Sequence, residues 1–214
     1  MKIHDVEQRS EEWHRLRAGI PTASCFGKIW KPTGGKSASF FGYICELIAE
    51  SETGLVDATR TKFMERGTDL ENTAIAYYEL ECEVKVTKVG FITNDEGTIG
   101  GSPDGLVGDD GGLEIKSRGA PGHVQGVLGR YTQDIPQVQG LLWLTGRRWW
   151  DLLYYNPVIP AAIMRVERDE KYISGMAAAL DDFLVKLAEK REEVLSKLDR
   201  RPEESQRLFR KEKP

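Results

Sequence analysis

The stretch Ser102-Pro103-Asp104-Gly105-Leu106-Val107-Gly108-Asp109-Asp110-Gly111-Gly112-Leu113-Glu114-Ile115-Lys116-Ser117 decides how this chain is read. Gly108 to Gly112 is a turn signal between two apolar segments, so the chain is expected to fold back there as a β-hairpin. That fold-back sets Asp104 beside Glu114 at one end of the hairpin. Side chains alternate along a strand, so Glu114 and Lys116 share one face while Leu113, Ile115 and Ser117 take the other. One face carries charge, and the other packs.

Two neighbouring carboxylates repel unless a proton or a cation lies between them. Mg2+ takes oxygen ligands from one or two carboxylates together with water and substrate phosphate, so the pattern points to a phosphate-handling metal site. Lys116 would hold or polarise the attacking water and offset charge on the phosphorus oxygens. A Glu-x-Lys pair alone also fits a solvated surface hairpin. The longer string distinguishes the two: Pro103-Asp104 followed by Glu114-Ile115-Lys116 matches the PD-(D/E)XK nuclease pattern. With its flanks, Ser-Pro-Asp-Gly-Leu and Gly-Leu-Glu-Ile-Lys-Ser, it resembles the phage lambda exonuclease, or YqaJ-type viral recombinase, family. The resemblance implies an α/β fold with a restriction-endonuclease-like core, a central mixed β-sheet flanked by helices. It also implies Mg2+, with Mn2+ as a substitute, held by Asp104, Glu114 and the Ile115 carbonyl, with Lys116 catalytic.

Three further segments share the likeness. Trp13-His14-Arg15-Leu16-Arg17-Ala18-Gly19-Ile20-Pro21-Thr22-Ala23-Ser24 resembles the family's phosphate pocket, which makes Arg17, Thr22 and Ser24, with Ser102, the candidates to hold a terminal 5′ phosphate. The chemistry is sound in itself, since arginine offers a planar fork of donors and hydroxyls add neutral ones. Pro21 to Ser24 also suits a helix start, where free amides attract anions, and a capped helix with a solvated Arg17 would read the same way. In Phe63 to Tyr78, Leu70, Ala74, Tyr77 and Tyr78 recur at helical spacing. Arg66-Gly67 followed by Glu71 resembles the family helix that supplies a third acid to the metal, so Glu71 is its candidate here. Asp134-Ile135-Pro136-Gln137-Val138-Gln139-Gly140-Leu141-Leu142-Trp143 resembles the family's Q-V-Q helix. Val138, Leu141 and Leu142 mark its buried stripe, and the resemblance turns Gln137 toward the reacting water or the DNA end. Gln139 is the weaker candidate.

A chain of 214 residues with 40% hydrophobic and 30% charged content suits one domain with a substantial core. Residues 1–200 are expected to form a single nuclease domain, with 201–214 a charged, mobile tail. No transmembrane span and no signal-peptide core is read, and Cys25, Cys45 and Cys82 form no C-x-x-C pair. Reduced thiols in a cytoplasm are expected, and the resemblance implies that of a bacterial host carrying a phage or prophage. The net charge of −4 is awkward for a DNA-binding protein. Its distribution matters more than its sum, because basic residues gather at Lys28, Lys31 and Lys36, at Arg130 and at Arg147-Arg148. Lys31, Lys36 and Arg130 are the DNA-binding candidates, though each cluster also reads as solvated surface. Gly34-Gly35-Lys36-Ser37 looks like the end of a P-loop, but Trp30 stands where its first glycine belongs, so no ATP site follows. It reads as a connection between helices or a mobile segment near DNA.

Elsewhere, a helix is expected at Ser39 to Ile48 and strands at Glu83 to Thr87, Trp149 to Tyr155 and Ala161 to Val166. Val89-Gly90-Phe91 would continue the first of these after a bulge. A long amphipathic helix should run from Ile173 to Leu198. The family resemblance implies a Mg2+-dependent exonuclease that degrades one strand of duplex DNA 5′→3′ to expose a 3′ strand for recombination. It also implies a homotrimeric ring around the duplex and a single-strand annealing protein as partner. The rival readings are a PD-(D/E)XK endonuclease of restriction or repair type and a non-catalytic DNA-end-binding protein.

Overall fold

The computed structural model describes residues 1–54 and 68–199. Its elements in chain order are strand β1 (Lys2–His4), helices α1 (Glu11–Arg17), α2 (Phe40–Thr53) and α3 (Thr68–Cys82), and strands β2 (Val86–Thr87), β3 (Phe91–Thr93), β4 (Gly100–Gly101), β5 (Gly105–Val107) and β6 (Gly111–Lys116). There follow α4 (Ala120–Val127), α5 (Ile135–Thr145), β7 (Trp149–Tyr154), β8 (Ala162–Glu167) and α6 (Glu170–Asp199). The first part of the Phe63 to Tyr78 segment, with Arg66 and Gly67, lies outside the described residues, as does the tail.

The expected hairpin forms. β5 and β6 pair antiparallel, with Gly105 opposite Leu113 and Val107 opposite Gly111. Gly108 turns the corner at φ 52°, a conformation glycine adopts without strain. Five strands make one mixed sheet in the order β2-β5-β6-β7-β8, in which β6 and β7 run parallel and the other pairs antiparallel. A second, antiparallel sheet has the order β1-β3-β4.

Alternation along the strands separates two cores. Leu106, Trp150, Leu152 and Tyr154 pack with α2, α5 and α6, whereas Val107, Leu113 and Leu153 pack with Ala74, Ile75 and Tyr78 of α3. The two faces of the five-stranded sheet are therefore both covered, as a mixed sheet between helices requires.

Two local expectations are corrected. Glu83 takes φ 54° and ends α3, and Glu79 accepts from the Val86 amide at 2.9 Å, so the strand read from Glu83 shrinks to Val86–Thr87. Phe91 does not extend it past a bulge but opens β3 in the other sheet. The helix start at Pro21 is a six-residue 3-10 turn, Ala23–Lys28, rather than an α-helix. The Gly-Lys-Ser segment closes a tight turn, with Trp30 bridged to Lys36 and the Ser37 amide donating to Ile29 O at 2.9 Å.

Candidate active site

Extending the hairpin register by one residue sets Asp104 opposite Glu114. Asp104 Oδ2 accepts from the Ile115 amide at 2.6 Å, which fixes the carboxylate against β6. Glu114 is only 6% exposed and Lys116 lies beside it, with Nζ donating to Glu114 Oε1 at 3.0 Å and to Gln137 Oε1 at 2.8 Å. Gln137 Nε2 donates to the same Glu114 oxygen at 2.7 Å. Gln137 lies in the first turn of α5, a helix buried on most sides at Pro136, Val138, Gln139, Leu141 and Leu142, and its amide meets β6 at Glu114 and Lys116.

Glu114 Oε2 is buried without a hydrogen-bond partner, a costly arrangement for a carboxylate. Burial and then the neighbouring Glu114 charge push the Asp104 carboxyl well up from its ordinary value. Burial pushes Glu114 up too, against the opposing pull of Lys116 and Gln137. For Lys116, burial pulls the ammonium down, but Glu114 and Asp134 outweigh it and the net direction is up. The pocket is thus short of positive charge even with Lys116 protonated.

A cleft beside Asp104 is lined by Glu71, by residues 5–9 and by residues 88–90. Glu71 enters it from α3 but is drawn to Arg9, at 3.1 Å, and Lys88, at 3.7 Å. Among the described residues no group of three or more His, Cys, Asp or Glu side chains converges closely enough to hold an ion. The donor set that converges is Asp104 and Glu114, with Glu71 across the cleft.

The second predicted cluster also assembles. Arg17 is 9% exposed, and its guanidinium donates to Ser102 Oγ at 3.0 Å and to Thr22 Oγ1 at 3.4 Å. Thr22 and Ser24 hydroxyls lie 3.5 Å apart. Trp13 supports both partners, its indole N–H donating to Ser102 at 2.8 Å and its ring lying 4.1 Å from the Arg17 guanidinium carbon. A buried guanidinium ringed by hydroxyls is suited to an oxyanion. Ser102 joins the two clusters, since it stands two residues before Asp104.

The other candidates fare differently. Lys36 donates to Asp182 of α6 at 2.6 Å in an exposed surface pair. Lys31 and Arg130 are exposed and remain on the surface. Gln139 is buried and braces β8 and α6, donating to Glu167 O and accepting from the Asp169 amide.

Two residues escaped the sequence reading. Asp134 looks like a helix cap but makes no cap bond. It is buried, accepts from Arg118 at 2.6 Å and from the Tyr154 hydroxyl at 2.7 Å, and lies 3.7 Å from Lys116 Nζ. Arg147, read as part of a basic cluster for DNA or as solvated surface, donates to the carbonyls of Val107, Gly108 and Gly111 and so clamps the hairpin turn. The pairing of each partner crosses more than 15 residues, so local pattern carries no signal for either.

The sequence model of the YqaJ-like viral recombinase domain matches residues 12–148, which hold Arg17, Asp104, Glu114, Lys116 and Gln137. The chain belongs to the YqaJ-like viral recombinase family. Its fold is similar to that of an alkaline exonuclease, LHK-Exo, from Laribacter hongkongensis, with 34% identity, a TM-score of 0.78 and coverage of 89% of this chain and 98% of that one. The same enzyme in complex with dAMP matches equally well. A phage-related exonuclease from Haemophilus somnus 129PT shares the fold at 14% identity, with a TM-score of 0.65 and coverage of 86% and 99%. No match was found among curated proteins.

Proposed function

We propose that this YqaJ-family chain is a Mg2+-dependent 5′→3′ exonuclease, with residues 1–200 as one nuclease domain. It would degrade one strand of linear duplex DNA and expose a 3′ single strand for phage-type recombination. The observation that carries the reading is the joining, through Ser102-Pro103-Asp104, of an acidic pocket containing Lys116 and Gln137 to a buried arginine ringed by hydroxyls. One cluster suits a scissile phosphate and the other a terminal one.

The donors fit a hard cation. Asp104, Glu114 with its unpartnered oxygen, the Ile115 carbonyl and Glu71 would hold Mg2+, or Mn2+ in its place. When bound, such an ion makes water more acidic and neutralises charge on a phosphoryl oxygen. Lys116 would donate to an oxygen of the water or the phosphate while Gln137, which accepts from it at 2.8 Å, fixes its direction. Attack of water on the first linkage breaks the bond from phosphorus to the 3′ oxygen and releases a nucleoside monophosphate. dAMP, bound in the Laribacter alkaline exonuclease, belongs to that product class. Family resemblance adds a homotrimeric ring, a single-strand annealing partner and a bacterial cytoplasm. No helix among the described residues is long and apolar enough to cross a membrane.

The test uses linear duplex DNA labelled at one end, 5′-phosphorylated or 5′-hydroxyl, beside a covalently closed circle, all with Mg2+. Loss from the 5′ end with the circle intact is expected, and Arg17→Ala should erase the preference for phosphorylated ends. Cutting of the circle would establish an endonuclease instead, and inert DNA a binding protein.

Ion binding should also show in stability. Asp104 and Glu114 both hold protons more tightly in the folded state than in the unfolded chain. Without an ion, their contribution is therefore best below about pH 4 and is lost as pH rises through their raised values. A divalent ion takes the place of those protons. The gain in Tm on adding Mg2+ should therefore grow as pH rises through those raised values. A pH-independent gain would show that the ion binds elsewhere.

A further inference from the structure

Arg9 carries φ 76°, a left-handed conformation unusual for a residue with a side chain, and it stands at the rim of the cleft that holds Asp104. Its guanidinium and the Lys88 ammonium converge on Glu71, and Lys88 also donates to Asn72 at 2.7 Å. Both cations remain part-exposed, with side-chain accessibilities of 31% and 54%.

The course of α1 gives these cations a place on the substrate. Near its C-terminal end Arg17 donates to Ser102, and one turn earlier Trp13 donates to the same hydroxyl. Before its N-terminal end, Gln8 Nε2 donates to Pro103 O and to Val89 O, both at 3.0 Å. Arg9 then meets the cleft of Asp104. The helix thus lies antiparallel to Ser102-Pro103-Asp104, with Arg17 at one end, Arg9 at the other and about 10 Å of helix between them.

We propose that Arg9 and Lys88 form a second DNA-phosphate site, which takes the phosphate one linkage beyond the scissile one on the strand being cut. The proposal rests on the exonuclease reading above. With the terminal phosphate at Arg17 and the first linkage at Asp104 and Glu114, the strand runs on toward Arg9 and Lys88. Glu71 holds the two cations in register. Once it shares its charge with an ion, their donors turn to phosphate oxygens, where arginine's fork and lysine's point charge both suit the anion.

The test uses the slow-cutting Lys116→Ala protein with Mg2+ and a 5′-phosphorylated duplex, in which the second linkage is either phosphate or a neutral methylphosphonate. The methylphosphonate should weaken binding by Lys116→Ala about tenfold, the loss of one charge-assisted contact. Adding Arg9→Gly or Lys88→Ala should weaken binding to the all-phosphate duplex by a similar factor, remove the methylphosphonate penalty and lower the salt slope by about 0.9. Glycine accepts φ 76° freely, so Arg9→Gly should not lower Tm, which separates lost contact from lost fold. An undiminished methylphosphonate penalty in both double variants would overturn the site while leaving the exonuclease reading intact. If the unsubstituted protein neither bound nor cut duplex ends, the exonuclease reading would fall, and this site with it.

Discussion

Lys116→Ala should still bind duplex ends but cut them about 10²–10³-fold more slowly, the loss typical of removing a principal electrostatic group. The ammonium donates to two acceptors, Glu114 at 3.0 Å and Gln137 at 2.8 Å, with the Asp134 carboxylate 3.7 Å away, so its position is set before substrate arrives. Alanine removes the donor and leaves Glu114 with only Gln137, while Asp134 keeps Arg118 and Tyr154. Tm should therefore fall, and rates belong well below the transition. Lys116→Arg should not rescue cutting, because a planar fork cannot occupy the same three-way pocket. Single-turnover cutting measured against end-binding affinity separates the chemical step from binding. Cutting within about threefold of the unsubstituted rate would remove Lys116 from the mechanism.

The parts of this site legible in the sequence are those in which function and local pattern coincide. Glu114 and Lys116 had to share a face because a strand alternates, and Asp104 had to lie opposite Glu114 because Gly108 to Gly112 closes a hairpin. Gln137 followed from family likeness alone, since a glutamine early on an amphipathic helix carries no signal of its own. Long-range polar pairing was not legible. Asp134 has the position of a cap, and only tertiary structure commits it to Arg118, Tyr154 and Lys116. Arg9 precedes Ser10, the residue whose hydroxyl caps α1 at Trp13, and its left-handed backbone has no signature in an arginine. The fold shows the same division. Apolar alternation found β7 and β8, yet could not tell that Phe91 enters a second sheet, since periodicity reports a strand's faces and not its neighbours.

Glu71 stands apart from Asp104 and Glu114, drawn to Arg9 and Lys88 across the cleft. It rides on α3, whose packing against the sheet is a small cluster of Ala74, Ile75 and Tyr78 against Val107, Leu113 and Leu153. Beside these apolar contacts, which Tyr77, Val86, Ile115 and Ile163 extend, the helix has a buried polar anchor. That anchor is Asp151, which accepts from the Tyr78 hydroxyl at 2.7 Å and from Arg165 twice at 2.9 Å. Two helical turns separate Tyr78 from Glu71, so the buried aspartate of β7 helps set where Glu71 stands.

Asp151→Ala should accordingly destabilise the protein by about 2–4 kcal/mol, a drop in Tm of roughly 5–12 °C for a chain of this size. Asp151 is almost wholly buried, and its removal leaves the Tyr78 hydroxyl unsatisfied in the core. Arg165 suffers less, since its side chain is half exposed and its guanidinium carbon stays 3.7 Å from the Trp149 ring centre. The loss is therefore smaller than for breaking a fully buried pair. Tyr78→Phe alone should cost about 1 kcal/mol, and in its presence Asp151→Ala should cost less than in the unsubstituted protein, because the orphaned hydroxyl is gone. Thermal unfolding of the two single variants and the double variant measures this coupling. Equal costs of Asp151→Ala in both backgrounds would show that the aspartate does not act through Tyr78, and α3 would need another anchor.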